Sequence, residues 1–244
     1  MPGQELYKNL AKYYDKIYSK KDYRRECEFI EWITQKKQIT GNLLLHVACG
    51  TGSHVNILKN KFKVMGLDIN KEMIDIAGQK SPDVEFIEGD MQNLNIDKRF
   101  DIITCLFSAM NYNLSLEDFK TALQNFYSHL KEGGLVIFDL GINKNNWVEG
   151  RVSVDTVVED NLKLARICQS HLEDNIFHAN FVFLIKEKGK VDFDIDCHDI
   201  GVFELEQISE IMKNTGFSVS IYREFSKDIW NPDSGQIPVF VGLK

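Results

Sequence analysis

Residues 43–52 constrain the fold of this chain more than any other part of the sequence. Leu43-Leu44-Leu45-His46-Val47 is an apolar run typical of a buried parallel strand, and it breaks into the small-residue turn Ala48-Cys49-Gly50-Thr51-Gly52. A helix with apolar residues on one face is predicted from Gly52 onward. Small residues where a central strand ends let a ligand approach the backbone. The sequence therefore predicts an open α/β sheet with a ligand site at this turn.

Two further apolar stretches end in acidic residues. Residues 64–67 lead into Asp68, and residues 84–88 lead into Gly89-Asp90-Met91. A carboxylate at the tip of the second strand is able to accept hydrogen bonds from both hydroxyls of a ribose. Together the three strand ends predict a nucleoside site.

The turn itself narrows the choice of nucleoside. A dinucleotide fingerprint needs a third glycine, but Val55 stands at that position. A P-loop needs Gly-Lys-Ser/Thr after the turn, and the sequence has none there. The pattern is therefore typical of neither a dinucleotide nor a nucleoside triphosphate site.

The motifs resemble the class I S-adenosylmethionine-dependent methyltransferase family. Five of them follow in order over residues 43–140: the glycine-rich turn at 48–52, the ribose acid Asp68, the adenine-side motif at 89–91, a fourth strand at 100–107 and a turn at 130–134. The resemblance implies S-adenosylmethionine as cofactor and an α/β fold with a doubly wound, mostly parallel seven-stranded sheet. Gly133 and Gly134 also predict the end of the helix before strand five.

Two positions depart from the family pattern. Alanine replaces glycine at Ala48, and histidine replaces the acid that helps to hold the methionyl amino group at His46. A neutral imidazole brings no negative charge to an ammonium group. One interpretation is that His46 hydrogen-bonds backbone while water takes over the amino group. The other is a weakened cofactor site, or a protein that binds without turnover.

A narrower resemblance, to bacterial nucleotide-linked aminosugar N,N-dimethyltransferases, covers nearly the whole chain. The residues that carry this resemblance are Tyr14-Asp15, Lys21-Asp22-Tyr23, Glu26, Cys105-Leu106-Phe107-Ser108 and Cys197-His198-Asp199-Ile200. The chain departs from that subgroup at residues 139–142 and 234–236, which would line the acceptor pocket. The cofactor is therefore implied more firmly than the acceptor.

After Leu140 the predicted elements change from alternating strands and helices to successive strands. Four β-rich stretches with short polar turns over residues 152–200 predict an antiparallel meander. We expect a helical cap at 1–40, a cofactor-binding domain at 41–145 and 202–244, and an inserted antiparallel sheet at 146–201 on the substrate side.

The resemblance and the strand ends together give a set of candidate site residues. The predicted cofactor-binding residues are Tyr14, Tyr23, His46, Ala48, Gly50, Gly52, Asp68, Ile69, Asp90, Met91 and Leu106. The predicted catalytic residues are Tyr14, Asp139 and His198; Asn111 and Tyr112 are candidates to orient the acceptor. No cluster of acids at the ends of strands four and five predicts a metal, so none is expected.

Composition limits the partners. The net charge is -7 without a long basic run, which argues against nucleic acid. The sequence shows neither a signal pattern nor a membrane-length apolar run, and its five cysteines form no C-x-x-C pair. We expect a cytoplasmic protein with reduced thiols, a monomer or homodimer, that acts on a small molecule.

Several functions remain open at this point. The main hypothesis is methylation of an amine, since a neutral amine needs no protein base. An O-methyltransferase would need Asp139 or His198 as a base. A non-catalytic S-adenosylmethionine-binding protein is suggested by His46 alone, and an RNA or protein methyltransferase is opposed by the acidic charge balance.

Overall fold

The computed structural model describes residues 4–143, 150–231 and 237–244. Seven strands form one sheet in the order β10-β11-β5-β4-β1-β2-β3. Their bounds are β1 Leu43–Val47, β2 Lys63–Asp68, β3 Glu85–Glu88, β4 Phe100–Cys105, β5 Leu130–Asp139, β10 Ser218–Arg223 and β11 Pro238–Leu243. The pairs of β11 with β5 and β10 are antiparallel and the remaining pairs are parallel. The predicted seven-stranded, doubly wound sheet is confirmed.

Helices cover both faces of this sheet. They are α1 Ala11–Ile17, α2 Tyr23–Lys36, α3 Ser53–Leu58, α4 Lys71–Lys80, α5 Leu116–His129 and α6 Leu205–Thr215, with short 3-10 helices at Glu5–Tyr7, Met91–Asn93 and Ala109–Tyr112. Phe119 of α5 and Ile208 of α6 are buried in the core on one face, and Ile30 of α2 and Leu58 of α3 in the core on the other.

Alternation along β1 decides which way each of its side chains points. Leu45 and Val47 belong to the core beneath α5 and α6, whereas Leu44 belongs to the core beneath α2 and α3. Successive residues of a strand face opposite sides, so His46 shares the face of Leu44. His46 is therefore directed at the helical layer that contains α3.

The inserted segment is a second sheet of four antiparallel strands, in the order β6-β7-β8-β9. Their bounds are β6 Val152–Glu159, β7 Leu162–Glu173, β8 Ile176–Glu187 and β9 Lys190–Gly201. The inner face buries Leu164 and Phe183 against Leu6 and Tyr13 of the N-terminal segment. The predicted meander is thus present. The boundary expected between residues 145 and 146 lies outside the described residues.

The expected end of α5 at Gly133 and Gly134 is wrong. The helix ends at His129, and β5 begins at Leu130. Leu130 already pairs with Phe100, and Leu135 pairs with Ile102, so the intervening residues form an irregularity within the strand pair. Gly133, with a φ of 73°, accommodates that irregularity rather than capping the helix.

Candidate active site

A single cleft of about 1030 Å³ lies across the carboxyl ends of the parallel strands, under the N-terminal segment and the meander. Open α/β sheets bind ligands at this edge. The predicted site residues that line the cleft are Tyr14, Tyr23, Ala48, Gly50, Asp68, Ile69, Asp90, Met91, Leu106, Asp139 and His198. His46, Gly52 and Asn111 do not line it, contrary to expectation.

The turn after β1 has an unusual backbone. Ala48, Gly50 and Gly52 have φ values of 52°, 54° and 76°, in the left-handed region that favours glycine. A Cβ added at Gly50 would meet no atom within 4 Å, so this backbone faces open space. A Cβ at Gly52 would lie 3.0 Å from the Cβ of Ala77, so Gly52 permits α3 and α4 to approach each other. Gly52 therefore has a packing role, and its contact with the cofactor stays a prediction.

The carboxylate of Asp68 is held in place by backbone. Its Oδ2 accepts a hydrogen bond from the N–H of Gly50 at 2.8 Å, and its Oδ1 accepts one from the N–H of Asn70 at 2.9 Å. Burial raises the pKa of this carboxyl, against the opposing effect of those hydrogen bonds. The side-chain Nδ2 of Asn70 also lies 3.4 Å from Oδ1, so it is Oδ2 that keeps a lone pair for a ligand in the cleft.

Apolar groups flank this carboxylate. Ile69 is 59% exposed, an unusual state for isoleucine, and it borders the cleft next to Asp68. Leu106 is buried on the cleft wall, and Met91 is partly buried against the main core. Asp90 accepts the backbone N–H of Gln92 and so fixes the 3-10 helix that carries Met91. The arrangement fits a flat apolar ring beside a ribose.

His46 lies behind the cleft wall rather than on it. Its Nδ1 is 2.8 Å from the Oγ1 of Thr104, the backbone of Thr104 also hydrogen-bonds the imidazole, and the ring of His46 lies 5.1 Å from that of His54. Burial lowers the pKa of His46 well below its usual value, and the neighbouring His54 acts in the same direction. His46 is therefore a neutral packing residue, because β1 turns this position toward α3.

The acid at this end of the cleft comes from another element. Glu26 of α2 lines the cleft, and its carboxylate pairs with His54 Nε2 at 2.5 Å and with Lys21. Burial raises the pKa of Glu26, but the hydrogen bond from His54 and the charge of Lys21 outweigh it and lower the net value. Sequence reasoning noted Glu26 only as part of a resemblance and found no role for His54.

The N-terminal segment is fastened to the turn by polar contacts. The Oδ1 of Asp15 accepts hydrogen bonds from Thr51 Oγ1 at 2.5 Å and Ser53 Oγ at 3.2 Å, and its Oδ2 pairs with Lys80 at 2.7 Å. This brings Tyr14 over the cleft. The ring of Tyr14 lies 4.7 Å from that of Tyr18.

Tyr23 also lines the cleft at this end. Its ring packs at 4.9 Å from that of His54. Burial raises the pKa of both Tyr14 and Tyr23, so both remain phenols at neutral pH.

Asp139, one of the predicted catalytic residues, lies at the end of β5 and lines the cleft. Its Oδ2 accepts the backbone N–H of Ser108 at 3.0 Å, whereas its Oδ1 has no hydrogen-bond partner among the described residues. Burial, followed by the nearby charge of Glu26, raises the pKa of Asp139 to about 7. An unsatisfied buried oxygen is costly, so a ligand that donates to it would be favoured.

His198 is buried, contrary to the surface position that its polarity favours. Its Nδ1 is 2.6 Å from the hydroxyl of Tyr112, and its Nε2 is 2.8 Å from Asp196 Oδ2. Asn111 instead bonds the carbonyls of Ile142 and Gly201, so it connects loops and does not face an acceptor.

Side chains of the types that bind metal ions lie together on the meander, away from the cleft. Among the described residues, His171, Glu173 and His178 place ligand atoms within 4.8 Å of one another on the meander, and none of the three lines the cleft. The absence of a catalytic metal stays a prediction.

The cleft fits S-adenosylmethionine by its own geometry. The open backbone at Gly50 leaves room for a close ligand, Asp68 offers acceptors to a ribose, and Glu26 offers negative charge to an ammonium group. A seven-stranded sheet with this turn and this acid defines a nucleoside-binding α/β protein.

Comparisons with known proteins agree with this class. A family model described as a methyltransferase domain matches residues 44–134. The chain is 27% identical over 222 residues to dTDP-3-amino-3,6-dideoxy-alpha-D-glucopyranose N,N-dimethyltransferase of Streptomyces fradiae, covering 89% of this chain and 87% of the relative. It is 30% identical over 223 residues to an uncharacterized protein of Methanocaldococcus jannaschii, covering 88% and 76%.

Among solved structures, the crystal structure of Streptomyces venezuelae DesVI superposes with a TM-score of 0.85 at 28% identity, covering 95% of this chain and 97% of that one. The chain belongs to the class I S-adenosylmethionine-dependent methyltransferase family. It is an enzyme of that family, with S-adenosylmethionine as its cofactor. In the described residues no helix is both long and apolar enough to cross a membrane.

Proposed function

We propose that this enzyme methylates the amino group of a sugar, with a nucleotide-linked aminosugar as the first acceptor to test. The similarity to an aminosugar dimethyltransferase over most of both chains supports this acceptor. The size of the cleft supports it too, because about 1030 Å³ is at the upper end of the range for a single small ligand. A donor and an acceptor would share it.

The observation that carries the proposal is the buried carboxylate of Asp139. Its Oδ1 has no partner among the described residues, and Asp139 lines the acceptor side of the cleft with Tyr112 and His198. An amine donates hydrogen bonds that such an oxygen accepts. The hydroxyl oxygen of Tyr7, which also lines the cleft, suits the hydroxyls of a sugar.

Seven of the predicted cofactor-binding residues then have a proposed task. Gly50 and Ala48 would admit the cofactor to the backbone, Asp68 would hold its ribose, and Ile69 and Leu106 would pack on its adenine. Tyr14 and Tyr23 would close over its methionyl end. When bound, S-adenosylmethionine supplies an activated methyl group, so the protein contributes alignment and exclusion of water.

The test is a transfer assay with S-adenosylmethionine and dTDP-3-amino-3,6-dideoxy-α-D-glucopyranose. Mass spectrometry should detect sugar products that have gained one and two methyl groups, together with S-adenosylhomocysteine. The matched control is the same sugar nucleotide with a hydroxyl in place of the amine, which should not react. Methylation of the hydroxyl sugar would favour the O-methyltransferase interpretation. Cofactor binding without any transfer would favour a binding protein.

The proposal includes a cellular setting. We infer a cytoplasmic enzyme, monomeric or homodimeric, that binds neither nucleic acid nor membrane. All five cysteines are free thiols, and the net charge is -7. Light scattering would measure the oligomeric state. Retention on an anionic nucleic acid at physiological salt would contradict the small-molecule assignment.

A further inference from the structure

Four polar side chains form one continuous hydrogen-bonded chain beside the acceptor end of the cleft. The hydroxyls of Tyr7 and Tyr112 are 2.6 Å apart, the hydroxyl of Tyr112 is 2.6 Å from His198 Nδ1, and His198 Nε2 is 2.8 Å from Asp196 Oδ2. Tyr7, Tyr112 and His198 line the cleft, whereas Asp196 is fully buried behind them.

The direction of each bond follows from the buried end. Asp196 accepts the backbone N–H groups of Glu5 at 2.9 Å and Leu6 at 2.8 Å. Burial raises the pKa of Asp196, but the hydrogen bonds from His198 and Leu6 outweigh it and lower the net value. Asp196 is therefore a carboxylate at neutral pH. A carboxylate only accepts hydrogen bonds, so the hydrogen between these two side chains is on Nε2 of His198.

The remaining hydrogens are then determined. In the uncharged form that is able to take up a proton, an imidazole with its hydrogen on Nε2 has its acceptor at Nδ1, so in that form Tyr112 donates to His198. Tyr112 has a single hydroxyl hydrogen, so Tyr7 donates to Tyr112. The hydroxyl oxygen of Tyr7 is left as an acceptor at the open end of the chain. Tyr7, Tyr112 and His198 thus each point one hydrogen away from the open end of the chain and toward Asp196.

We propose that Tyr7, Tyr112, His198 and Asp196 form a proton relay that removes the proton which the acceptor nitrogen must lose after methylation. This inference rests on the proposed function. The amine lone pair forms the N–C bond while the C–S bond breaks and its electron pair stays on sulfur. The nitrogen then carries a positive charge, and its proton goes to the Tyr7 oxygen.

The rest of the relay moves one proton per step. Tyr7 passes its own proton to Tyr112, which passes its proton to His198 Nδ1. The resulting imidazolium is stabilised by Asp196, and when product departs the proton on Nδ1 returns through Tyr112 and Tyr7 to water in the open cleft. Burial raises the pKa of Tyr7 and Tyr112, so these phenols carry protons without remaining ionised.

The surroundings of His198 suit this role. The rings of Tyr7 and Phe181 pack at 5.0 and 5.2 Å from the imidazole and are uncharged. Asp196, two residues earlier on β9, supplies the negative charge, while Asp199 on the same strand is paired with His178. A neutral nitrogen regains the lone pair that a second methyl transfer requires. The relay would therefore set the balance between mono- and dimethylated product.

The closing experiment compares Tyr112→Phe and His198→Asn with the matched controls Tyr127→Phe and His171→Asn, which lie outside the cleft. The substrate is dTDP-3-amino-3,6-dideoxy-α-D-glucopyranose, and the products are followed from pH 6.5 to 9.5. We expect both relay variants to accumulate monomethyl product at neutral pH, with the second transfer slowed at least about tenfold. The rate of the second transfer should recover as the pH rises through the pKa of the acceptor amine, because the amine then loses its proton to solvent. Product ratios and pH profiles equal to those of the wild type would overturn the relay.

A second measurement needs no turnover. Long-range 15N spectra of the imidazole should show the hydrogen of His198 on Nε2 in the wild type, and a loss of that preference in Asp196→Asn. A wild-type hydrogen on Nδ1 would overturn the relay, because Tyr112 would then have no acceptor. If the wild type methylates no aminosugar, the proposed function fails, whereas the tautomer still tests the proposed direction of the chain.

Discussion

The two walls of the cleft are built in different ways. The wall proposed to hold the cofactor comes largely from the ends of β1, β2, β3 and β4 and from the turns that immediately follow them. The wall proposed to hold the acceptor carries Tyr112, Asp139 and His198, and it depends on contacts between residues far apart in the chain. The backbone N–H of Leu6, for example, donates a hydrogen bond to Asp196, 190 positions away in the sequence. One wall is therefore local in sequence, and the other exists only when the N-terminal segment packs on the meander.

The packing repeats this contrast. The parallel sheet is covered by its own helices on both faces, whereas the inner face of the meander is covered by residues 6–18. Arg166 of β7 connects the meander to the N-terminal segment. It is buried, pairs with Asp155 and donates a hydrogen bond to the hydroxyl of Tyr18 at 2.7 Å. The wall proposed to hold the acceptor is therefore assembled from parts that are not neighbours in sequence.

The largest expected effect concerns Asp139 on the acceptor wall. Its pKa is raised from 3.8 to about 7, so between those values the folded protein holds a proton that the unfolded chain has lost. Stability contributed by this group is complete below about pH 4 and is lost as pH rises through 7. The difference corresponds to about 4 kcal/mol. Asp139→Asn should therefore stabilise the fold by up to about that amount at pH 8 and have little effect at pH 4.

Denaturant unfolding at both pH values measures this effect. The matched control is Asp101→Asn, which removes a carboxylate paired with Lys131 at 2.9 Å and should destabilise the protein at pH 8. An Asp139→Asn protein with the same pH dependence as the wild type would mean that Asp139 is ionised throughout.

The next effect tests the cofactor wall. Asp68→Ala removes the proposed ribose acceptor and the group that fixes Gly50, so affinity for S-adenosylhomocysteine should fall by roughly 1.5–3 kcal/mol, about 10- to 150-fold. Calorimetry measures it, with the exposed Asp83→Ala as control. Unchanged affinity would place the ribose elsewhere in the cleft.

The smallest expected effect is on cofactor affinity and concerns Glu26 and His46. Glu26 faces the cleft, whereas His46 lies behind it. Glu26→Gln should weaken S-adenosylhomocysteine binding about tenfold, or 1.4 kcal/mol, and His46→Gln should leave it within about threefold. Calorimetry under one buffer condition compares the two. The opposite order would restore residue 46 as the contact of the amino group.

The individual strands and the inserted meander were predictable, because apolar runs and short polar turns follow the period of each strand. The arrangement of seven strands in one doubly wound sheet was implied by the resemblance to the family. Asp68 and the turn at Gly50 were predictable for the same reason, since a strand end and its next residues stay together in any such fold. The orientation of His46 was also encoded in the alternation along β1. The family pattern has an acid at this position, and that resemblance led to the expectation that residue 46 contacts the cofactor.

The proposed relay could not be derived from sequence. His198 and Tyr112 were candidates, but nothing local joins them to Tyr7 or to Asp196. The prediction at residues 234–236 lies outside the described residues. The sequence by itself determined the sheet, the cofactor turn and the ribose acid, because each is a pattern within a few consecutive residues. Only the tertiary structure decided the partners of Glu26, Asp139 and Asp196, because burial and hydrogen bonding depend on segments that are distant along the chain.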